Sequence, residues 1–211
     1  MESKRVILIV SVIGILVILF FGIDIWRNRS ASAPAFDFSG ILRPTQYKES
    51  PTKGADNPKV VIFEYADFNC AHCADFQSVL AQILDTYAND VAVVWKDFPF
   101  VSQGSEDSAV AARCAGKQDT FWEYHDWLFK NQGNALSVDF ARGAQELGLN
   151  EKNFTQCLSD DTIRTVVSRD FAEGKALGID QTPTLVIGDV ALVGVQTFVE
   201  VEQALAPLLQ K

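Results

Sequence analysis

Hydrophobic residues are concentrated first in one stretch, Val6 to Ile23, interrupted only by Ser11, Gly14 and Gly22. As a helix rising about 1.5 Å per residue it reaches roughly 27 Å, close to the ~30 Å hydrocarbon core of a bilayer. It has no polar face of the kind a soluble helix keeps, so it predicts a single N-terminal transmembrane helix, with Trp26 at headgroup level. Ala31, Ser32 and Ala33 resemble a signal-cleavage site but lie well past the apolar run, with Pro34 directly after, so an uncleaved anchor is expected. The short head before the span cannot hold a domain. The body is therefore expected on the far, extracytoplasmic side.

Past the anchor (1–29), residues 30–58 are rich in Ser, Pro, Ala and Gly and predict a tether with little regular structure. Val60–Tyr65 is short, apolar and β-branched, the pattern of a buried central strand. Phe76, Val79, Leu80, Ile83, Leu84 and Tyr87 then fall at helical spacing, and Val91–Trp95 predicts a second buried strand. From 104 to 176 the pattern turns helical, with helices expected at Ser108–Ala115, Thr120–Asn131, Ser137–Leu147 and Ile163–Leu177. Strands return at Thr184–Ile187 and Val190–Val193 around a Gly188-Asp189 turn, and Phe198–Leu209 closes as an amphipathic helix. The plan is α/β, its strand-bearing parts (59–103 and 177–211) separated by the helical block 104–176.

Charge changes the picture in one respect. The anchor and its flanks hold Lys4, Arg5, Arg27 and Arg29 against Glu2 and Asp24, so the body carries −11 rather than the chain's −9. So acidic a surface repels phosphate backbones and argues against nucleic acid as a partner.

Candidate chemistry is concentrated at Cys70-Ala71-His72-Cys73, between the first strand and the helix after it. A helix start offers free N–H donors and the positive dipole end, both of which favour a thiolate. Cys70 is expected exposed at that end, Cys73 one turn inward, and the His72 imidazole close enough to steady the Cys70 thiolate. A plain structural disulfide, or half a zinc site, would use the same spacing. Zinc needs two more ligands, and Cys114, Cys157 and His125 each stand alone in sequence, so no metal or cofactor is expected. Glu64, six residues upstream, interrupts an apolar strand. Buried, its carboxyl would have a raised pKa and could relay a proton to a thiol; turned outward, it would be an ordinary surface acid. Thr182-Pro183, just before the third strand, is a candidate cis bond or an ordinary strand-start proline. Cys114 and Cys157, in the helical block, either bond each other in an oxidising compartment or stay as two buried thiols. Phe121, Trp122, Tyr124, Trp127 and Phe129, at helical spacing, read as core, with His125 hydrogen-bonded among them.

Taken in order, these motifs resemble the DsbA-like thiol–disulfide oxidoreductases of the thioredoxin superfamily, over about Gly54 to Leu209. Gly54-Ala-Asp-Asn-Pro-Lys-Val is similar to that family's lead-in to its first core strand, Val60–Cys73 to its strand, acid and CxxC segment. Phe121-Trp-Glu-Tyr-His-Asp and Gly178-Ile-Asp-Gln-Thr-Pro-Thr are similar to its helical-insertion and cis-proline signatures. The resemblance implies a thioredoxin-like fold with an inserted helical domain. It implies Cys70 as the attacking and mixed-disulfide cysteine, Cys73 as the resolving one, Glu64 as proton carrier and His72 as tuner of the thiolate. Pro183 would be cis against the disulfide, Thr182 would offer its backbone to an extended substrate, and Cys114–Cys157 would match a structural disulfide of some relatives. Reduced exported proteins would be the substrates, a membrane quinone-linked oxidase would restore the disulfide, and the chain would be a monomer. Ala71 stands where many relatives have Pro, and Gln181 where glycine is common. A reductase or isomerase fed by a membrane donor, and a tethered binding module with a structural Cys70–Cys73 bridge, are the competing readings.

Overall fold

The computed structural model describes residues 35–37, 43–132 and 138–210. The expected anchor therefore lies outside the described residues. Among the described residues no helix is long and apolar enough to cross a membrane.

Six strands form one mixed sheet in the order β1-β6-β5-β3-β4-β2. The strands are β1 (Ala35–Asp37), β2 (Thr52–Gly54), β3 (Val60–Ala66), β4 (Val91–Asp97), β5 (Thr184–Ile187) and β6 (Val190–Val193). β3 and β4 run parallel at the centre, joined by helix α1 (Ala71–Thr86), and every other pairing is antiparallel. A parallel pair needs a crossover of this kind, and α1 supplies it. The helical block is α2 (Ser105–Gly116), α3 (Phe121–Lys130), α4 (Phe140–Glu146), α5 (Glu151–Leu158) and α6 (Asp161–Ala176); α7 (Phe198–Leu209) closes the chain.

Three expectations are corrected here. Segment 30–58 is more than a tether, because β1 and β2 lie within it and cover the two edges of the sheet, β1 on β6 and β2 on β4. Each is three residues long, and every β2 side chain is exposed, so neither leaves an alternating apolar signal. The block also contains α5, unexpected because its eight residues bury only Phe154. And α4 starts at Phe140, where the Asp139 side chain accepts from Arg142 N and caps the helix.

Apolar packing falls on both sheet faces and in the helical block. Ile62, Phe76, Leu80, Ile83, Val201 and Leu205 fill the space between β3, α1 and α7. Tyr65, Phe98, Val186 and Ile179 fill the opposite face. There α6 lies so close that a Cβ on Gly174 would meet the Phe98 ring at 2.7 Å. The aromatic residues of α3 join Phe68, Trp95, Phe154 and Val167 in the third cluster, as core.

What ties the block to the sheet is charge. The second strand was expected to end at Trp95, yet β4 continues through Lys96 and Asp97, both fully buried. Lys96 Nζ lies 2.8 Å from Glu173 and 3.4 Å from Asp170, both on α6. Arg113 of α2 reaches Asp97 at 2.7 Å and Asp170 at 2.6 Å. Tyr65, opposite Lys96 in register, donates its hydroxyl to Glu173 at 2.6 Å. Buried charges are tolerable only when paired and hydrogen-bonded, and each of these is. Within the block itself, Cys114 of α2 and Cys157 of α5 are joined covalently, at 2.02 Å across 43 residues. A loop of this size is worth about 3–4 kcal/mol in the chain-entropy account. Arg113→Met would leave buried Asp97 without a cation and Asp170 with only Lys96 and Arg169, and urea unfolding should show a loss of about 3–5 kcal/mol. A loss below about 1 kcal/mol would mean that the network does not hold the block to the sheet.

Candidate active site

The loop from β3 into α1 is shaped by two short polar side chains. Asp67 accepts from Asn69 N at 2.8 Å with one carboxylate oxygen and from Phe100 N and Val101 N, both at 2.9 Å, with the other. The Asn69 amide donates to Ser102 at 2.7 Å. The loop is thereby fixed to the segment after β4, and Cys70 arrives in extended conformation (φ −87°, ψ 115°) as the N-cap of α1. Its sulfur accepts from Cys73 N at 3.4 Å, as a serine or aspartate oxygen would at this position.

The two sulfurs are placed unequally. Cys73 is fully buried, and Cys70 is 6% exposed rather than open as expected. The reason is what lies around it. Its sulfur is 3.5 Å from the Thr182 carbonyl, and Gln132, just past α3, donates to the carbonyls of Phe68 (2.7 Å) and Cys70 (2.9 Å). Both cysteines are free thiols. Cys70 is pulled down to about 6, chiefly by the hydrogen bond from the Cys73 thiol; burial opposes this, and Thr182 with the backbone N–H groups of Cys73 and His72 adds to it. Cys73 is pushed far up by burial and by the neighbouring Cys70. One sulfur is thus a nucleophile or leaving group near neutral pH and the other holds its proton.

The His72 side chain lies away from where it was expected. Its imidazole is 75% exposed and lies 3.9 Å from Asp75, so its part in steadying the thiolate comes from its backbone N–H. Glu64 is fully buried on β3, not turned to solvent. Gln77, one turn along α1 from Cys73, donates to Glu64 Oε1 at 2.9 Å, while Oε2 has no partner. Burial pushes the carboxyl up to about 7, with Gln77 pulling the other way. The Thr182–Pro183 peptide is cis. Gly194 N donates to Pro183 O at 2.8 Å and fastens this loop to the end of β6.

Cys70, Cys73, Thr182 and Pro183 therefore form one site. Cys114 and Cys157 are bonded to each other within the helical block. His125 is buried in the aromatic cluster; its Nδ1 meets Asp126 at 2.8 Å, and burial keeps its imidazole below the ordinary value. Among the described residues no three His, Cys, Asp or Glu side chains are grouped to hold a metal. Asp67, Asn69, Gln77 and Gln132 were not anticipated. Asp67-Phe-Asn is a turn signal that could have flagged the first two; the glutamines make contacts 13 and 62–64 residues away and leave no local pattern.

The family model described as thioredoxin matches residues 46–206, and the chain belongs to this thioredoxin family. A Na(+)/H(+) antiporter NhaA 1 from Salinispora arenicola is 27% identical over 149 residues, 70% of this chain but 23% of the antiporter. The chain spans about a quarter of the length of the curated relatives it matches. Among solved structures, a thioredoxin-like oxidoreductase from Silicibacter pomeroyi has TM-score 0.73 at 23% identity, covering 78% of this chain and 95% of that one. The thiol-disulfide exchange protein alpha-DsbA2 from Wolbachia pipientis has TM-score 0.70 at 20% identity, covering 76% and 88%. At these identities the likeness is one of fold.

The site makes a pH-dependent reactivity measurable. In the reduced chain, alkylation at limiting iodoacetamide should modify Cys70 first. Its rate should rise as the thiol ionises through about pH 6 and level off above, because only the thiolate reacts. A midpoint at the ordinary cysteine value of about 8.5 would contradict the asymmetry.

Proposed function

We propose that the chain is a membrane-anchored, extracytoplasmic thiol–disulfide oxidoreductase that donates a Cys70–Cys73 disulfide to reduced exported proteins. The observation that carries the reading is the unequal placement of the two sulfurs, Cys70 capping a helix start with its pKa pulled down and Cys73 fully buried one turn inward. A disulfide whose reduced form is stabilised in this way is the more oxidising for it. Family membership and the name of the Wolbachia neighbour, a thiol-disulfide exchange protein, agree with this chemistry.

A substrate thiolate attacks Cys70 Sγ, a Cys70–substrate disulfide forms, and the Cys70–Cys73 bond breaks with the electron pair leaving on Cys73. Cys73 takes a proton from the Glu64 carboxyl. A second substrate thiolate then attacks the substrate sulfur of the mixed disulfide, the substrate leaves oxidised, and Cys70 departs as the stabilised thiolate. Thr182, beside Cys70, offers its backbone to the extended substrate. A quinone-linked membrane oxidase would restore the disulfide, and the chain would work as a monomer.

The oxidised full-length chain in detergent should convert a reduced, unfolded test protein to its disulfide form, one bond per chain. Cys70→Ala and Cys73→Ala should each abolish the transfer, because neither variant can hold the donor disulfide. Failure to oxidise the test protein, or full activity of Cys70→Ala, would overturn the reading.

A further inference from the structure

Between β6 and α7 the chain has three residues, Gly194, Val195 and Gln196, before Thr197 caps the helix. Both ends of this link are fixed. Val193 of β6 stands opposite Thr184 of β5, and the capping box of Thr197 and Glu200 holds the first turn of α7. Val195 turns out to solvent, whereas the polar side chain of Gln196 is turned in, with the residue only 2% exposed. A buried amide costs free energy unless it is hydrogen-bonded, and this one folds back on its own link. Its Nε2 donates to the carbonyls of Val193 (2.9 Å) and Gly194 (3.1 Å). Its Oε1 has no partner among the described residues, so the amide's acceptor is given up to make those two bonds.

The two carbonyls lie on either side of Gly194. The Val193 carbonyl belongs to the same planar peptide unit as the Gly194 N–H, and in a trans unit the two point in opposite directions. Holding the oxygen therefore aims the N–H, which donates to Pro183 O at 2.8 Å. Holding the Gly194 carbonyl fixes the next peptide unit, and together they keep Gly194 in the left-handed region at φ +84°. A Cβ there would meet nothing within 4 Å, so the glycine is required by conformation and not by space. Pro183 has no N–H, and its carbonyl is the only backbone group by which it can be fastened. On the other side of it Thr184 Oγ1 donates to Gln181 O at 2.8 Å. The Thr182 carbonyl between these two ties lies 3.5 Å from Cys70 Sγ.

We propose that Gln196 is a positioning residue for the substrate chain: by clamping the peptide units around Gly194 it fastens Pro183 and keeps the Thr182 backbone placed to pair with an extended chain whose cysteine reaches Cys70. The inference rests on the functional reading above. Loss of the clamp weakens the hold on a chain, while a small thiol needs only the Cys70 sulfur.

The test compares two reductants of the Cys70–Cys73 disulfide in the oxidised full-length chain, an unstructured peptide with two cysteines and dithiothreitol, by single-turnover acid quench at pH 7. Gln196→Met keeps the length of the side chain and removes the donor. Gly194→Ala acts on the same joint through the backbone, because alanine resists the left-handed conformation. Each variant should lower the rate constant for the peptide about tenfold, the scale of one or two hydrogen bonds, and keep that for dithiothreitol within about twofold. The loss should sit in the peptide concentration at half-saturation, with the limiting rate kept. A side chain that serves only stability would lower the melting temperature and leave the ratio of the two rate constants where it is. That ratio unchanged in folded Gln196→Met, or an equal loss with both reductants, would overturn the proposal. Should Gln196→Met not fold, Gly194→Ala decides by the same ratio. A wild-type chain that oxidises no peptide would sink the functional reading and this inference with it, whereas a wild-type chain that does, with variants that match it, would sink the inference alone.

Discussion

Cys70 caps helix α1 with its own sulfur, and the rest of the site is arranged by that single contact. A thiolate at a helix start takes the free N–H groups and the positive end of the dipole. Cys73, three residues on, is thereby carried one turn into the core, where a charge cannot survive. The asymmetry comes chiefly from the Cys73 thiol, which donates to Cys70, and from the burial of Cys73. It follows from where the strand stops and the helix begins, and Asp67 fixes that point by holding Asn69 and the segment after β4 together.

The helical block serves this arrangement from a distance. Its buried ion network grips β4, so the strand beside β3 is held to α2 and α6 by Arg113, Lys96, Asp170 and Glu173. Gln132 reaches back from the end of α3 to the carbonyls on either side of Asn69. The block is therefore bonded to the catalytic loop as well as to the sheet, and a change in its seating would be felt at Cys70. Because the chain spans about a quarter of its curated antiporter relatives, the shared part is this thioredoxin body, and the transport named for them is not carried over.

Much of this was legible along the chain. β3, β4, β5 and β6 carry short runs rich in β-branched residues, and α1 repeats its apolar residues at helical spacing, so their order and class could be read directly. The CxxC pair and Thr182-Pro183 are local motifs and were equally plain. What escaped was decided by tertiary partners. Lys96 and Asp97 look like the end of a strand until Arg113 and α6 are seen to pair with them. β1 and β2 are too short to carry a period, and they exist because the sheet has edges to fill. Cys70 looked exposed because sequence shows a helix start but not the Thr182 loop lying over it. His72 was expected to bring its imidazole to Cys70, whereas the ring lies toward Asp75 in solvent and the backbone N–H is what meets the sulfur. Glu64 could be placed on a strand but not on a face, and its partner Gln77 is invisible without the fold.

The reduction potential of the Cys70–Cys73 pair, from equilibration of the full-length chain with glutathione buffers at pH 7, tests the central claim most directly. A pair whose reduced form is held by a capped thiolate should equilibrate near or above the protein disulfide isomerase value of about −180 mV. A value near thioredoxin's, about −270 mV, would contradict the account and make the chain a reductase.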